Sequence, residues 1–268
     1  QVFALVEAAR KIGFKSLNVD LIYGLPKQNP QSFARTLEQV GELRPDRIAL
    51  YGYAHLPERF KSQRRIVRPD LPTAGDKLEM LSAAIDSFID AGYVYVGMDH
   101  FALPDDALAI AKRQGRLHRN FQGYSTQPDC DLIALGVSAI GRIGGTYSQN
   151  AKTLDEYYDL IDQGLLPIVR GLALSKDDLI RRAVIMAIMC QGELLFESIN
   201  NAWLIDCKQY FAAEFELLRG QQEEGLVEVL DDCIRVTSKG WFFVRGVALV
   251  FDRYLQAARS RERFSRII

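Results

Sequence analysis

Two hydrophobic periods alternate along the first part of this chain. Short apolar runs rich in β-branched and aromatic residues predict strands at residues 16–23, 47–53 and 93–98. Between them, apolar residues spaced by three and four predict amphipathic helices that begin at Pro30 and after Thr73. Strands that alternate with helices at this spacing are typical of βαβ units, so we expect an α/β fold with parallel strands.

The stretch from Leu17 to Gln28 contains both apolar residues and an ionisable one in its predicted strand. Its apolar residues suit a buried strand, yet it carries Asp20 and ends at Gly24 and Pro26, which turn the backbone outward. A carboxylate inside an apolar strand costs free energy unless it is hydrogen bonded. Asp20 either caps a nearby loop or marks a site at the carboxyl ends of parallel strands. On that edge we expect a cluster of polar side chains: Asp20, Tyr23, His55, Asp99 and His100.

The second half of the chain follows a different pattern. Residues 119–127 show no period and predict a loop, and the glycines of 132–149 permit close backbone approach without a dinucleotide-binding or P-loop spacing. After Pro167, three helices and a small hairpin resemble a winged-helix arrangement. We therefore predict two domains, residues 1–166 and 167–268.

The charge of the second predicted domain disfavours DNA binding. Its helix over residues 208–224 carries a net charge of −2, whereas a helix that enters a DNA groove should be basic. The whole chain has 268 residues, 48% of them hydrophobic, and a net charge of −1, which indicates a real core and no nucleic-acid or membrane partner. No apolar run spans a bilayer and no signal peptide is evident, so we expect a cytoplasmic protein. We also expect a monomer.

The chain opens in the middle of a helical stripe. Gln1 is followed at once by apolar residues at helical spacing, and three parallel strands alone would leave unpaired sheet edges. We expect further strands before Gln1. The cysteines are widely scattered: Cys130, Cys190, Cys207 and Cys233. Such scattering predicts neither disulfides nor a metal site made by this chain alone.

Four stretches together carry a family resemblance: Val19–Pro26, Tyr53–Pro57, Gly97–Ala102 and Arg119–Tyr124. The first is similar to a segment shared by several branches of radical S-adenosylmethionine (SAM) enzymes. The other three narrow the resemblance to the oxygen-independent coproporphyrinogen III oxidase family, because the related haem-chaperone branch departs from the last two. The tail Phe264–Ile268 also resembles that family's C-terminus, so the resemblance covers essentially the whole chain.

This resemblance implies an α/β fold: the C-terminal part of a partial (β/α)6 radical-SAM barrel, followed by a helical, winged-helix-like domain. It implies oxidative decarboxylation of two propionates of coproporphyrinogen III to vinyls, giving protoporphyrinogen IX in haem biosynthesis. The implied cofactors are a 4Fe-4S cluster and two SAM molecules per enzyme, and the implied partners are coproporphyrinogen III and an electron donor for the cluster.

Site residues follow from the resemblance by matching position. Asp20, Ala54 and Ile140 would contact SAM: the carboxylate through ribose hydroxyls or the ammonium, Ala54 through its backbone, and Ile140 as an apolar wall. Phe121 and Gln122 would lie near the reacting substrate as the candidate catalytic residues.

The chain lacks one motif that the family's activity requires. The C-x-x-x-C-x-C motif that binds the cluster is absent from the 268 residues, and three thiolates must converge on such a cluster. We expect the motif upstream of Gln1 and the present chain to be inactive by itself. The alternative is a non-catalytic relative that binds porphyrin or haem, or a haem chaperone.

Overall fold

The structure is a computed structural model that describes residues 1–127 and 130–258, with side chains described to residue 256. The chain divides into two compact units. Unit 1 contains Gln1–Gln114, Trp241–Gly246 and the residues from Tyr254, and unit 2 contains Gly115–Gly240 and Val247–Arg253. The tail motif that resembles the family's C-terminus lies outside the described residues.

Unit 1 is built from helices that alternate with short strands. In chain order its elements are α1 (Val2–Ile12), β1 (Asn18–Tyr23), α2 (Pro30–Leu43), β2 (Arg47–Gly52), α3 (Ala74–Asp90), β3 (Val94–Gly97), β4 (His100–Ala102) and α4 (Ala107–Arg113). The start of α2 is capped by Asn29, and the start of α3 by a reciprocal pair between Thr73 and Asp76, as the sequence predicts.

The sheet of unit 1 has the strand order β1-β2-β4-β3. β1 and β2 are parallel neighbours, as predicted, but β4 pairs antiparallel with both β2 and β3. β3 therefore runs in the same direction as β1 and β2, as predicted, but the sequence does not predict β4, which lies antiparallel between β2 and β3. The cause is a two-residue turn in which Met98 and Asp99 adopt φ values of 37° and 67° and reverse the chain at once.

One face of this sheet forms the core of unit 1. Side chains from β1, β2 and β4 pack there against the apolar faces of α2 and α3, and the buried set is Leu21, Phe33, Leu37, Val40, Ile48, Leu50, Met80, Ala84, Phe88, Tyr93 and Phe101. Tyr93 also donates a buried hydrogen bond of 2.6 Å from its hydroxyl to the carbonyl of Pro45. The other face is uncovered at β1, where alternate residues are exposed, and at Tyr51 of β2, whereas Ala49 and Ala102 are buried on that face.

Unit 2 begins with β-structure. Its elements are β5 (His118–Asn120), β6 (Gly123–Ser125), β7 (Ile140–Ile143), β8 (Thr146–Asn150), α5 (Leu154–Asp162) and β9 (Ile168–Ala173). β5 and β6 form a hairpin, so the loop predicted at 119–127 is wrong; pairing of Asn120 with Gly123 needs only two turn residues, and Gly123 adopts φ 120°. β7, β8 and β9 form a second antiparallel sheet.

The remainder of unit 2 is mainly helical. It contains α6 (Lys176–Gln191), β10 (Glu193–Leu195), α7 (Phe196–Trp203), α8 (Cys207–Tyr210), α9 (Ala212–Glu223), β11 (Val227–Val229) and β12 (Cys233–Val236). Strand order β10-β12-β11 and the helices give the expected winged-helix-like arrangement, with one strand more than the sequence predicts. After Ser238 the chain forms three short helices, α10 (Ser238–Trp241), α11 (Val244–Ala248) and α12 (Arg253–Ala258).

The compact units do not follow the division predicted at residues 166 and 167. Strand β9 starts just beyond that point and pairs with β8 just before it, from Asn150↔Ile168 to Thr146↔Ala173. Sheet hydrogen bonds therefore cross the predicted boundary, and the change of compact unit falls at Gly115. The assignment of residues 1–166 and 167–268 as evolutionary domains stays a prediction.

None of the helices in the described part of the chain combines the length and the apolar character that a membrane crossing requires.

Candidate functional site

Asp20 lies on the face of the unit 1 sheet opposite the core, in the part of that face that is uncovered. Along β1, Val19, Leu21 and Tyr23 turn toward the core, whereas Asn18, Asp20 and Ile22 are exposed. The Asp20 carboxylate accepts a 2.7 Å hydrogen bond from Nδ2 of Asn18. The expectation of a carboxylate embedded in a buried strand is therefore wrong, because only one face of β1 is packed, and Asp20 is open to a ligand.

Two aromatic side chains extend this open face across the neighbouring strands. Tyr51 follows Ala49 by two residues on β2 and is 41% exposed, and its ring meets the His100 ring edge-on with centroids 6.1 Å apart. His100 is itself held by a 2.6 Å contact between Nδ1 and the carbonyl of Met98. Because Ala49 pairs with both Asp20 and His100 across β2, the face presents a carboxylate, an imidazole and a phenol on adjacent strands.

The tight turn between β3 and β4 brings another carboxylate to the sheet. The carbonyl of Asp99 accepts a 2.7 Å bond from the backbone of Leu50. Burial, and then the negative charge of Asp99, raise the pKa of Tyr23, which shows that these two predicted residues share one electrostatic neighbourhood. Burial and Asp99 likewise raise the pKa of Tyr95.

Ala54 lies two residues beyond the end of β2, on the same edge as the turn after β1. The backbone of Tyr53 donates to the carbonyl of Tyr23 at 2.8 Å, which continues the parallel pairing of β1 and β2 by one step. The structure thus brings the strands of Asp20 and Ala54 together. Gln63 binds this segment through its side-chain amide: Nε2 donates to the carbonyl of Ala54 at 3.1 Å, and Oε1 accepts from the backbone of Leu56 at 2.6 Å.

Two buried polar atoms flank Ala54 without a hydrogen-bond partner among the described residues. They are the hydroxyl of Tyr53 and Nδ1 of His55, whose rings lie 6.2 Å apart. Buried polar atoms are nearly always paired in folded proteins, and exceptions concentrate where a ligand or water completes the site. This edge of the sheet therefore has unused hydrogen-bonding capacity beside Ala54.

The remaining predicted residues lie in unit 2. Phe121 and Gln122 form the turn of the β5–β6 hairpin; the Phe121 ring is 55% exposed and meets Tyr147 edge-on at 5.5 Å. The backbone of Gln122 donates to the side chain of Asn120 at 2.8 Å, which fixes the turn. Ile140 begins β7 and pairs with Gln149 on the strand that also carries Tyr147.

Close backbone approach occurs at Gly141, next to Ile140. A Cβ at Gly141 would lie 3.0 Å from the carbonyl oxygen of Leu132 and 3.1 Å from Oγ of Ser148. The isolated bridge between Leu132 and Arg142 depends on this approach. The sequence-based expectation that these glycines serve close approach is met here by protein backbone.

The cysteines do not form a metal centre. Among the residues that the structure describes, no group of three or more His, Cys, Asp or Glu side chains could hold a metal ion. Cys130 is exposed, whereas Cys190, Cys207 and Cys233 are buried. Burial raises the pKa of Cys190 to about 12 and that of Cys207 to about 11, so these thiols stay protonated and are poor metal ligands.

Sequence reasoning missed Tyr51 and Gln63. Tyr51 lies within a predicted strand, where an aromatic residue is usually part of the core. It is accessible because it lies on the uncovered part of the sheet. Gln63 lies in a short 3₁₀ helix, Lys61–Arg65, whose basic residues dominate the local pattern. Nothing in the sequence around a single glutamine predicts which backbone groups its side chain will bind.

Comparison with known proteins first defines the class. The fold matches a solved structure, coproporphyrinogen III oxidase (HemN) from Escherichia coli, described as a radical SAM enzyme, with a TM-score of 0.92 and 49% identity. That match covers 94% of this chain and 58% of the solved chain. Residues 174–243 match the HemN C-terminal domain family. The protein thus has the fold of a radical SAM enzyme.

The particular family follows from relatives of known name. Proteins named oxygen-independent coproporphyrinogen III oxidase are 49% identical in Salmonella typhimurium and 51% identical in Pseudomonas aeruginosa, over 100% and 98% of this chain. A protein of the same name from Thermostichus vulcanus is 42% identical over 99% of this chain and 82% of its own length. The chain belongs to the oxygen-independent coproporphyrinogen III oxidase family. It spans 58% and 57% of the length of the first two relatives.

Proposed function

We propose that the complete gene product carrying this chain converts two propionates of coproporphyrinogen III to vinyls by oxidative decarboxylation, in the cytoplasm. The observation that supports this most strongly is the match of 94% of the chain, at 49% identity, to a structure described as a radical SAM coproporphyrinogen III oxidase. The open sheet face with Asp20 agrees with it, because it presents polar groups where a ligand can reach them.

SAM fits the unit 1 edge by the chemistry of its donors and acceptors. The exposed carboxylate of Asp20 suits an ammonium group or vicinal ribose hydroxyls, since ionised acceptors make the stronger hydrogen bonds. The unpartnered hydroxyl of Tyr53 and Nδ1 of His55 supply further polar groups beside Ala54. Ile140 in unit 2 remains a proposed apolar contact, and two bound SAM molecules remain part of the proposal.

A 4Fe-4S cluster does not fit the described residues, since their cysteines are scattered and three of them are buried. We infer that the cluster thiolates come from a segment of the complete gene product outside this sequence. A cluster and SAM bound together would supply the radical chemistry for hydrogen abstraction, with the electron coming from an external donor. This chain's own role is to bind SAM, to orient the substrate and to exclude water.

The β5–β6 hairpin is the proposed substrate contact. Phe121 offers an exposed ring that can stack on a pyrrole, and the exposed Gln122 offers an amide beside it. Arg119 on the same hairpin stacks on Tyr124 at 4.9 Å, and its Nη1 finds no partner among the described residues. A guanidinium with unused donors suits a substrate that carries carboxylates.

The test is an anaerobic assay of the complete gene product, reconstituted with iron and sulfide, with coproporphyrinogen III, SAM and a chemical reductant. The expected result is protoporphyrinogen IX together with 5′-deoxyadenosine. Tight binding of porphyrin or haem without turnover, in a protein whose cluster is spectroscopically intact, would instead support the non-catalytic carrier.

A further inference from the structure

The segment that follows β2 leaves the sheet, so its backbone N–H and C=O groups no longer pair with the neighbouring strand. β2 ends at Gly52, and the last backbone step of the parallel pairing is the bond from Tyr53 to Tyr23. The carbonyl of Ala54 and the N–H of Leu56 lie beyond that point. Backbone groups at the end of a strand must find other partners, because leaving them unpaired costs free energy.

The side-chain amide of Gln63 takes the place of a neighbouring strand. Its Nε2 lies 3.1 Å from the carbonyl oxygen of Ala54, and its Oε1 lies 2.6 Å from the nitrogen of Leu56. One donor and one acceptor thus bind two backbone groups on either side of His55, as the N–H and C=O of one residue in a parallel strand would. The amide therefore ties the segment Ala54–Leu56 to the following loop at two backbone points.

Gln63 is itself held by the surrounding loop. Its backbone N–H donates to the carbonyl of Phe60, and its carbonyl accepts from Ile66, each within the short 3₁₀ helix region. Arg64, the next residue, donates through Nε to the carbonyl of Pro57 at 2.9 Å. The loop therefore folds back on the strand end at two points, and Gln63 is the half-buried one.

A second glutamine makes the same kind of contact at the end of the neighbouring strand. After β1, Oε1 of Gln28 accepts from the backbone of Leu25 at 3.1 Å, and its Nε2 donates to the carbonyl of Ile22 at 3.2 Å. Side-chain amides therefore order the chain after both parallel strands. This repetition marks the contact as a feature of the edge where Asp20 and Ala54 are placed.

We propose that Gln63 is a positioning residue that sets SAM affinity by fixing the Ala54–Leu56 segment. The proposal rests on the proposed function, because it assigns Ala54 a ligand contact. Among the described residues, the hydrogen bonds of the Gln63 side chain go to backbone alone, so its proposed role is to hold the segment rather than to bind the ligand. Without its amide the segment can move from this position, and the ligand must then order it on binding, which weakens affinity.

The experiment compares three variants of the complete gene product, reconstituted anaerobically. Gln63→Met removes both hydrogen bonds at similar side-chain length, and Gln63→Glu keeps the acceptor for Leu56 but turns a carboxylate oxygen toward the carbonyl of Ala54. Gln163→Met is the matched control: Gln163 is exposed after α5 and its Nε2 binds the carbonyl of Asp159 at 2.8 Å. Dissociation constants and KM for SAM, kcat, Tm and amide hydrogen exchange are measured for each.

Gln63→Met should raise Kd and KM for SAM by about 10-fold, the loss expected for two ordinary hydrogen bonds, while kcat changes by less than about 2-fold. Gln63→Glu should weaken SAM binding in the same direction, because its carboxylate faces the carbonyl of Ala54. Exchange of the Leu56 amide should quicken in Gln63→Met, and Gln163→Met should match the parent throughout. SAM binding at parent affinity in the Gln63 variants, or an equal fall in kcat without a change in KM, would overturn the positioning role.

Failure of the proposed function gives a different result. If the parent protein binds no SAM, the proposed function fails and the positioning role fails with it. The contact itself is still judged, because exchange of the Leu56 amide is measured without SAM. An unchanged Leu56 exchange rate in Gln63→Met refutes the amide contact whatever the protein binds.

Discussion

Asp20 offers the sharpest test of the proposed SAM site, because binding and folding should separate there. Its carboxylate is exposed and has a surface hydrogen bond to Asn18. Asp20→Ala should therefore change the free energy of unfolding by no more than about 0.5 kcal/mol, as is usual for exposed positions. A hydrogen bond from a ligand to an ionised group contributes about 1.5–3 kcal/mol. Its loss should weaken SAM binding by roughly 10- to 150-fold.

The assay is equilibrium dialysis of SAM against the anaerobically reconstituted complete gene product, with denaturant unfolding measured in parallel. Asp86→Ala is the control, since Asp86 is exposed on α3, the helix whose buried residues cover the opposite face of the sheet. It removes the same charge and should bind SAM like the parent. If Asp20→Ala also binds within about 2-fold of the parent, the assignment of Asp20 to SAM is refuted.

Three further outcomes test the packing that supports the site. Tyr93→Phe should lower the free energy of unfolding by about 1–3 kcal/mol, because it leaves the buried carbonyl of Pro45 without this donor; chemical denaturation that shows no loss would contradict the role given to that bond. Arg181→Met should destabilise by about 3 kcal/mol, since Glu214 then loses a 2.7 Å partner in a largely buried pair, and Glu214→Gln should restore part of the loss in the double variant. Burial lowers the pKa of Lys112 to about 8 in the folded protein, whereas an unperturbed lysine has a pKa of about 10.4. Between these two pH values the unfolded chain binds more protons than the folded one. Stability relative to Lys112→Met should therefore rise between about pH 8 and pH 10, and a flat difference in urea midpoints would show that the lysine is not buried as described.

Much of the secondary structure of unit 1 could be predicted from local sequence patterns. Thr73 and Asp76 mark the start of α3 because a capping box needs only that spacing. β1 and β2 are predicted to be parallel because the amphipathic helix α2 connects them in the sequence. β4 could not be predicted in the same way. Its turn uses Met98 and Asp99 at positive φ, where sequence rules look for Gly or Asn.

The candidate site was predicted in part, and its limits have a physical cause. The placement of Asp20 and Ala54 on adjacent parallel strands follows from strand order, which the βαβ spacing sets. The exposure of Asp20 and Tyr51 does not follow from any local pattern, because it depends on which face of the sheet the helices leave uncovered. The binding of Ala54 by Gln63 is a contact between a loop side chain and backbone, and neither partner carries a sequence signal of it.

The discontinuity of unit 1 along the chain has a consequence for how the protein is made. The Trp241–Gly246 segment belongs to unit 1: the ring of Phe242 packs on Tyr95 at 5.0 Å, and the hydroxyl of Tyr95 binds the carbonyl of Trp241, 146 residues later. Lys112 completes the contact with its ammonium 4.1 Å from the Trp241 ring. A ribosome adding about 5–20 residues per second needs roughly 7–30 s to cover that interval. The strands of unit 1 are therefore translated well before Trp241 and Phe242, and Tyr95 lacks these two partners during that interval.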